Sequence, residues 1–221
     1  SGPSWAHPVV IGGRLYLRDN NRLLCYNVAA DAFRNPPREP SSVTVNLPAG
    51  AVETGRAETG QPRTGRDRAP DAIYVPTPED IVERMLEFAA VKKEDVLYDL
   101  GSGDGRIVIA AARKYGGKAV GYEIDRRLVD EARVNAAKSQ VEKLIRIEHE
   151  DIFTLDLSGA DIIAVYLPSP LMQRLIPQFD KLKPGSRIVS HQFDLPGIRP
   201  DKQETVSSKE DGDQHRLFLW T

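Results

Sequence analysis

A single cysteine, Cys25, stands among 221 residues, so the chain can build neither an internal disulfide nor a thiolate metal cluster. Four histidines, His7, His149, His191 and His215, are scattered without metal-ligand spacing, and no metal is expected. No apolar run reaches the roughly 18 residues of a membrane-spanning helix. The opening residues, SGPSWAHP, lack the apolar core of a signal peptide, although a start without Met leaves room for targeting signals removed from this end. Cytoplasm is therefore the default location. The formal net charge is only -2, which offers a polyanion no global attraction.

Lysine is also missing from the first 91 residues, whereas residues 1–69 carry nine arginines. This compositional break divides the chain. Residues 36–68 are crowded with Pro, Gly, Thr, Arg and Glu and have almost nothing apolar after Leu47 and Val52, so 31–70 reads as a linker or loose arm. Its arginines could touch phosphates, but acids are interspersed and no aromatic platform accompanies them. Before it, Val9–Ile11, Leu15–Leu17 and Leu23–Val28 are β-rich runs separated by Gly12-Gly13 and Asp19-Asn20-Asn21, marking 1–30 as a β-rich appendage. Cys25 alternates with Leu23 and reads as a small hydrophobe. This stretch resembles the closing strands of a quinoprotein-like β-propeller repeat, in which G-x-L-Y and L-x-C-Y mark adjacent strands. One such unit cannot close a propeller.

What is present centres on Val96–Arg106, VLYDLGSGDGR. It reads as a buried strand followed by a glycine turn into a helix, the place where open α/β sheets bind ligands. Asp99 can accept hydrogen bonds from a cationic or hydroxylated group, while Gly101, Gly103 and Gly105 permit backbone conformations or a close approach that a Cβ would obstruct. Arg106 stands where a dinucleotide fingerprint needs its third glycine, which weakens a nicotinamide reading. The spacing D-x-G-x-G-x-G resembles the first motif of class I S-adenosylmethionine-dependent methyltransferases, where the acid and glycines hold the methionine part of the cofactor. A nucleotide site and a turn with no ligand are the alternatives.

Further acids fall at successive strand ends. Lys118–Glu123 is an apolar strand whose terminal Glu123 can accept two ribose hydroxyl protons, or simply be solvated beside Asp125. Asp125 reads as the cap of a helix over 126–139. After the strand at 144–148, Asp151 can accept from the exocyclic amine of adenine while Ile152 packs on the base; the alternative is a capping Asp. Upstream, Thr77 reads as the N-cap of the first helix, with Pro78 at its first position. That placement would bring Tyr74 and Thr77 near the cofactor, unless the helix start touches only core. Asp161–Leu167 is a central strand whose exit, YLPSP, carries Tyr166 toward the acceptor. His191 ends the next strand, where pairing in the sheet competes with acid-base work. Two antiparallel strands, 203–208 and 215–220, complete the sheet.

From Tyr74 onward the chain resembles the class I methyltransferases, particularly the seven-strand protein-lysine methyltransferases related to those acting on ATP synthase and on the adenine nucleotide translocase. The carrying features are Tyr74-Val75-Pro76, Asp99–Val108, Ala119–Glu123 and Leu182–Gly185. The resemblance implies an α/β, Rossmann-like seven-strand sheet with helices on both faces over 71–221, S-adenosylmethionine as cofactor, and methyl transfer to a lysine amine in a protein substrate. Tyr74 and Tyr166 are the polar groups expected to orient that amine. A small-molecule amine is the competing acceptor. The fourth strand ends in YLPSP and lacks the N/D-P-P-Y/F arrangement that binds planar amines, which, with the acidic balance, disfavours nucleic acid. A nucleotide-binding or non-catalytic binding domain is the last alternative, though it does not require acids at three strand ends.

Overall fold

The computed structural model describes the backbone of Val9–Ile11, Arg14–Asp19 and Arg22–Asn27, and all atoms of residues 70–221. The chain divides into two units, Ser1–Gly60 and Gln61–Thr221. In the first, β1 (Val9–Ile11), β2 (Arg14–Asp19) and β3 (Arg22–Asn27) pair antiparallel in chain order, with Tyr16 opposite both Val9 and Cys25. The arm expected over 31–70 lies, but for Pro70, outside the described residues.

In the second unit a seven-stranded sheet forms from β4 (Val96–Leu100), β5 (Lys118–Glu123), β6 (Ile145–His149), β7 (Ile162–Val165), β8 (Arg187–His191), β9 (Lys202–Ser207) and β10 (Gln214–Trp220). Their order is β6-β5-β4-β7-β8-β10-β9; the first five are parallel, and β10 runs antiparallel between β8 and β9. The strand period of two sorts side chains into two cores. Ile162 and Ala164 face one core and Ile163 and Val165 the other; Leu217 and Leu219 likewise oppose Phe218 and Trp220.

The first core is roofed by α1 (Glu79–Phe88), α2 (Arg106–Tyr115) and α3 (Arg126–Lys138) through Met85, Leu86, Val108, Ala112, Val129 and Ala132. On the other face α4 (Ser169–Phe179) contributes Met172 and Leu175. The helices therefore cover both faces, as the apolar β7 requires. Asp125 caps α3 as expected, accepting from Arg127 N at 2.9 Å. Thr77 does not cap α1. The helix begins one residue later, with Pro78 in the cap position and no side-chain cap, because the Thr77 hydroxyl is bonded to His191 Nδ1 at 3.1 Å. No helix among the described residues is long and apolar enough to cross a membrane.

Candidate active site

The carboxyl ends of β4 and β5 are locked together by the glycine turn. Gly101 N and Ser102 N both donate to Tyr122 O, at 2.9 and 3.0 Å, so the chain leaving β4 folds across the end of β5. That crossing needs left-handed backbone, and Gly101, Gly103 and Gly105 have φ of 81°, 53° and 82°. Gly103 has a second requirement: a Cβ there would lie 2.2 Å from Tyr74 Cε2. Gly121 on β5 gives the turn its room, since a Cβ would meet Ser102 Oγ at 2.7 Å.

Glu123 is the keystone of this turn. One carboxylate oxygen accepts from Gly103 N at 2.8 Å, and the other from Ile124 N and Asp125 N at 2.8 and 2.9 Å. The side chain is buried, yet the oxygen bonded to Gly103 N retains capacity for a further donor. Asp99 is buried beneath the turn, and its Oδ2 has no hydrogen-bond partner among the described residues; the same holds for Ser102 Oγ. Burial, reinforced by the charges of Glu123 and Asp104, pushes the Asp99 carboxyl up to about 8. Asp151 caps the short 3-10 helix Ile152–Thr154 by accepting from Phe153 N at 3.0 Å, and both Asp151 and Ile152 are buried at the end of β6.

Tyr74 lies over the glycine turn, with its hydroxyl bonded to Asp104. Burial and the Asp104 charge push it up to about 12, against the opposing pull of Arg106, so it is a phenol at neutral pH and a donor. Arg106 is the residue that sequence reasoning passed over. Its guanidinium pairs with Asp104 at 2.7 Å and donates to Thr77 O at 2.7 Å, fastening the segment before α1 to the glycine turn. Burial alone would raise Asp104, but the Arg106 hydrogen bonds and charge outweigh it and hold that carboxyl below the usual range. Tyr166, at the exit of β7, packs against the His191 ring with centroids 4.1 Å apart. Desolvation raises its phenol as well.

The site therefore gathers Asp99, the three glycines, Glu123 and Tyr74 around one turn, with Asp151 and Ile152 at the neighbouring strand end and Tyr166 with Thr77 about His191. A buried carboxyl oxygen without a partner, beside a glycine turn held in left-handed backbone, suits a ligand carrying an ammonium group and hydroxyls. S-adenosylmethionine carries both. Among the described residues no cluster of His, Cys, Asp and Glu could hold a metal ion.

Comparison with known proteins identifies what this arrangement belongs to. A family model described as the ANTKMT methyltransferase domain matches residues 99–202. A protein-lysine N-methyltransferase of Saccharolobus islandicus is 40% identical over 153 residues, covering 68% of this chain and 94% of that protein. The adenine nucleotide translocase lysine N-methyltransferase of Mus musculus is 34% identical over 105 residues, 47% of this chain; here the match spans only 46% of the relative's length. Among solved structures, an RNA methyltransferase from Salinibacter ruber in complex with S-adenosyl-L-homocysteine is 46% identical, with a TM-score of 0.61 over 66% of this chain and 92% of that one. This last similarity overturns the expectation that nucleic acid is disfavoured as a partner: net charge and the YLPSP exit describe only part of a surface, and a similar chain is described as an RNA methyltransferase. None of these matches supports the propeller likeness of residues 9–28. The chain belongs to the class I S-adenosylmethionine-dependent methyltransferases, as a relative of the protein-lysine N-methyltransferases.

Proposed function

We propose that the protein transfers a methyl group from S-adenosylmethionine to the side-chain amine of a lysine in a protein. The observation that carries the acceptor is the 40% identity to a protein-lysine N-methyltransferase whose length this chain covers almost completely. Within 71–221, Asp99 receives the ammonium of the methionine part over Gly101, Gly103 and Gly105; Glu123 takes the ribose hydroxyls; Asp151 and Ile152 take the adenine; Tyr74 and Thr77 close the cofactor from above. The cofactor supplies the methyl on a sulfonium, itself a good leaving group. The protein has to align the amine, keep it neutral and exclude water. Tyr74 and Tyr166 orient the amine from the acceptor side; neither is a base, because both phenols are held protonated.

A second reading, an RNA acceptor, is favoured by the Salinibacter ruber similarity. One experiment separates the two. Labelled S-adenosylmethionine and the full chain are added to a source-cell extract, which is then divided into protein, RNA and small-molecule fractions and examined by mass spectrometry. Methyl-lysine in one or a few proteins is the expected result. Label confined to RNA establishes the second reading, and label confined to a metabolite rejects both. Residues 1–30 we assign to a β-rich appendage and 31–70 to a linker or arm, and the reaction to the cytoplasm.

A further inference from the structure

A chain of four polar side chains leaves the acceptor side of this site and ends at the surface. Thr77 Oγ1 is 3.1 Å from His191 Nδ1, His191 Nε2 is 2.8 Å from His215 Nδ1, and His215 Nε2 is 3.1 Å from Asp211 Oδ2. The residues come from the segment before α1, the end of β8, strand β10 and the β9–β10 turn, and are 114, 24 and 4 positions apart along the chain. Thr77 and His191 are buried; Asp211 is exposed.

The hydrogen-bond chemistry fixes which way the protons point. Asp211 accepts from Asp213 N as well as from His215 and is held below the usual carboxylate range, first by that backbone bond, so it is an anion that can only accept. His215 must then donate through Nε2. With His215 neutral, its Nδ1 is bare and accepts from His191 Nε2; His191 Nδ1 is then bare in turn and accepts from the Thr77 hydroxyl. Each donor faces outward, and the lone pairs of Thr77 Oγ1 are left for a donor on the acceptor side. Burial, followed by His215, brings His191 down to about 4, which keeps it neutral. The groups about this chain are Tyr166, which packs on His191 and stacks with Phe193, and Asp80, Lys209 and Glu210 beside Asp211. Among them Asp80 is committed to Ser208 and Lys209 N; Arg216, next along β10, lies on the other face of the strand and bonds Gln192 O.

We propose that Thr77, His191, His215 and Asp211 form the route by which the acceptor ammonium loses its proton before methyl transfer. A lysine near its ordinary value of about 10.4 arrives protonated and has no lone pair to attack with. An ammonium N–H bond breaks as Thr77 Oγ1 takes that proton, while Thr77's own proton passes to His191 Nδ1 and the His191 Nε2 proton to His215 Nδ1. The nitrogen keeps the electron pair. Positive charge comes to rest on His215 beside Asp211, never on the buried His191, and the proton leaves to water at the turn. These are positioning residues for the proton, acting through Thr77. The inference rests on the acceptor being an amine.

Two measurements on the full chain test it. Nitrogen-15 spectra of the imidazoles at pH 7.5 should show His191 and His215 each protonated at Nε2. His191 protonated at Nδ1 would reverse the chain and overturn the proposal, and this result needs no acceptor. Turnover is then measured on a library of synthetic lysine-containing peptides. His215→Gln and Asp211→Asn, at the surface end where folding is least at risk, should lower kcat at least tenfold at pH 7, with the loss shrinking toward nothing by pH 9.5 as solvent removes the proton instead. The KM for S-adenosylmethionine should not change. Thr77→Val should show the same pH-dependent loss of kcat and Thr77→Ser should restore the wild-type profile; the S-adenosylmethionine KM is compared only in the two surface variants, because Thr77 also lies against the cofactor. A loss equal at every pH would mean that the chain only braces the fold, and would sink the route. Should the wild type methylate none of the peptides, it is the lysine reading that fails, while the tautomers still decide the direction of the chain.

Discussion

Glu123 shows how one carboxylate can fasten a binding turn and still present itself to a ligand. Its two oxygens take three backbone N–H groups, from Gly103, Ile124 and Asp125. In Glu123→Gln a single carbonyl can keep the Ile124 and Asp125 donors, but the amide NH2 then faces Gly103 N–H, donor against donor. The glycine turn loses its anchor. S-adenosyl-L-homocysteine affinity should fall by roughly 1–3 kcal/mol in titration calorimetry, with the fold retained by circular dichroism; an unchanged dissociation constant would remove Glu123 from the site. The carboxylates at the ends of β4, β5 and β6 were legible because strand periodicity places the end of each strand. Arg106 was not. Read locally it is only a glycine that is missing, and its function lies in a bond to Thr77 O, 29 residues away, that local sequence spacing does not encode. The same applies to His191 and His215, which are isolated along the chain and 2.8 Å apart in space.

At the level of elements, the junction of β4, β5 and the glycine turn depends on a residue with no ligand role. At Gly121 the returning turn sits directly on β5, so Gly121→Ala pushes its methyl into Ser102, at 2.7 Å from Oγ and 2.8 Å from Cβ, and toward Ile147. Overpacking of this kind costs typically 1–3 kcal/mol. The expected result is a loss of that size in denaturant unfolding together with weaker cofactor binding, since Ser102 moves with its neighbours Gly101 and Gly103. A variant as stable as the parent would show that the turn has slack. The central strand was legible because β7, buried between two apolar cores, leaves an almost unbroken apolar run in the sequence. Helix starts were less legible. Thr77 has the right chemistry for a cap, but the tertiary bond to His191 took its hydroxyl, and α1 begins after Pro78 without a side-chain cap.

For the whole molecule, two buried groups of opposite sense should shape stability against pH. Asp99 is raised from 3.8 to about 8 chiefly by burial, so between those values the folded state holds a proton that the unfolded state has released, and stability falls as pH rises. His191 is lowered from 6.5 to about 4, also chiefly by burial, so between those values the unfolded state holds the extra proton, and stability rises with pH. The two slopes cancel from about pH 4 to 6.5. Above 6.5 the Asp99 slope is no longer opposed by that of His191, and about 2 kcal/mol should be lost by pH 8 at 1.36 kcal/mol per unit. Carboxylates held low, such as Asp104, Asp161 and Asp211, change stability only below the ordinary carboxylate range and leave this window alone. Urea unfolding of the ligand-free chain at half-unit steps should therefore give a plateau and then a decline. Asp99→Asn should abolish the decline, and His215→Gln, which leaves Asp99 in place, should not. Saturating S-adenosyl-L-homocysteine should also abolish it, because an ammonium beside Asp99 favours the carboxylate and binding then releases a proton below pH 8. A decline that persists with ligand bound would mean that the methionine ammonium is held elsewhere, and that the partnerless oxygen of Asp99 serves the fold alone.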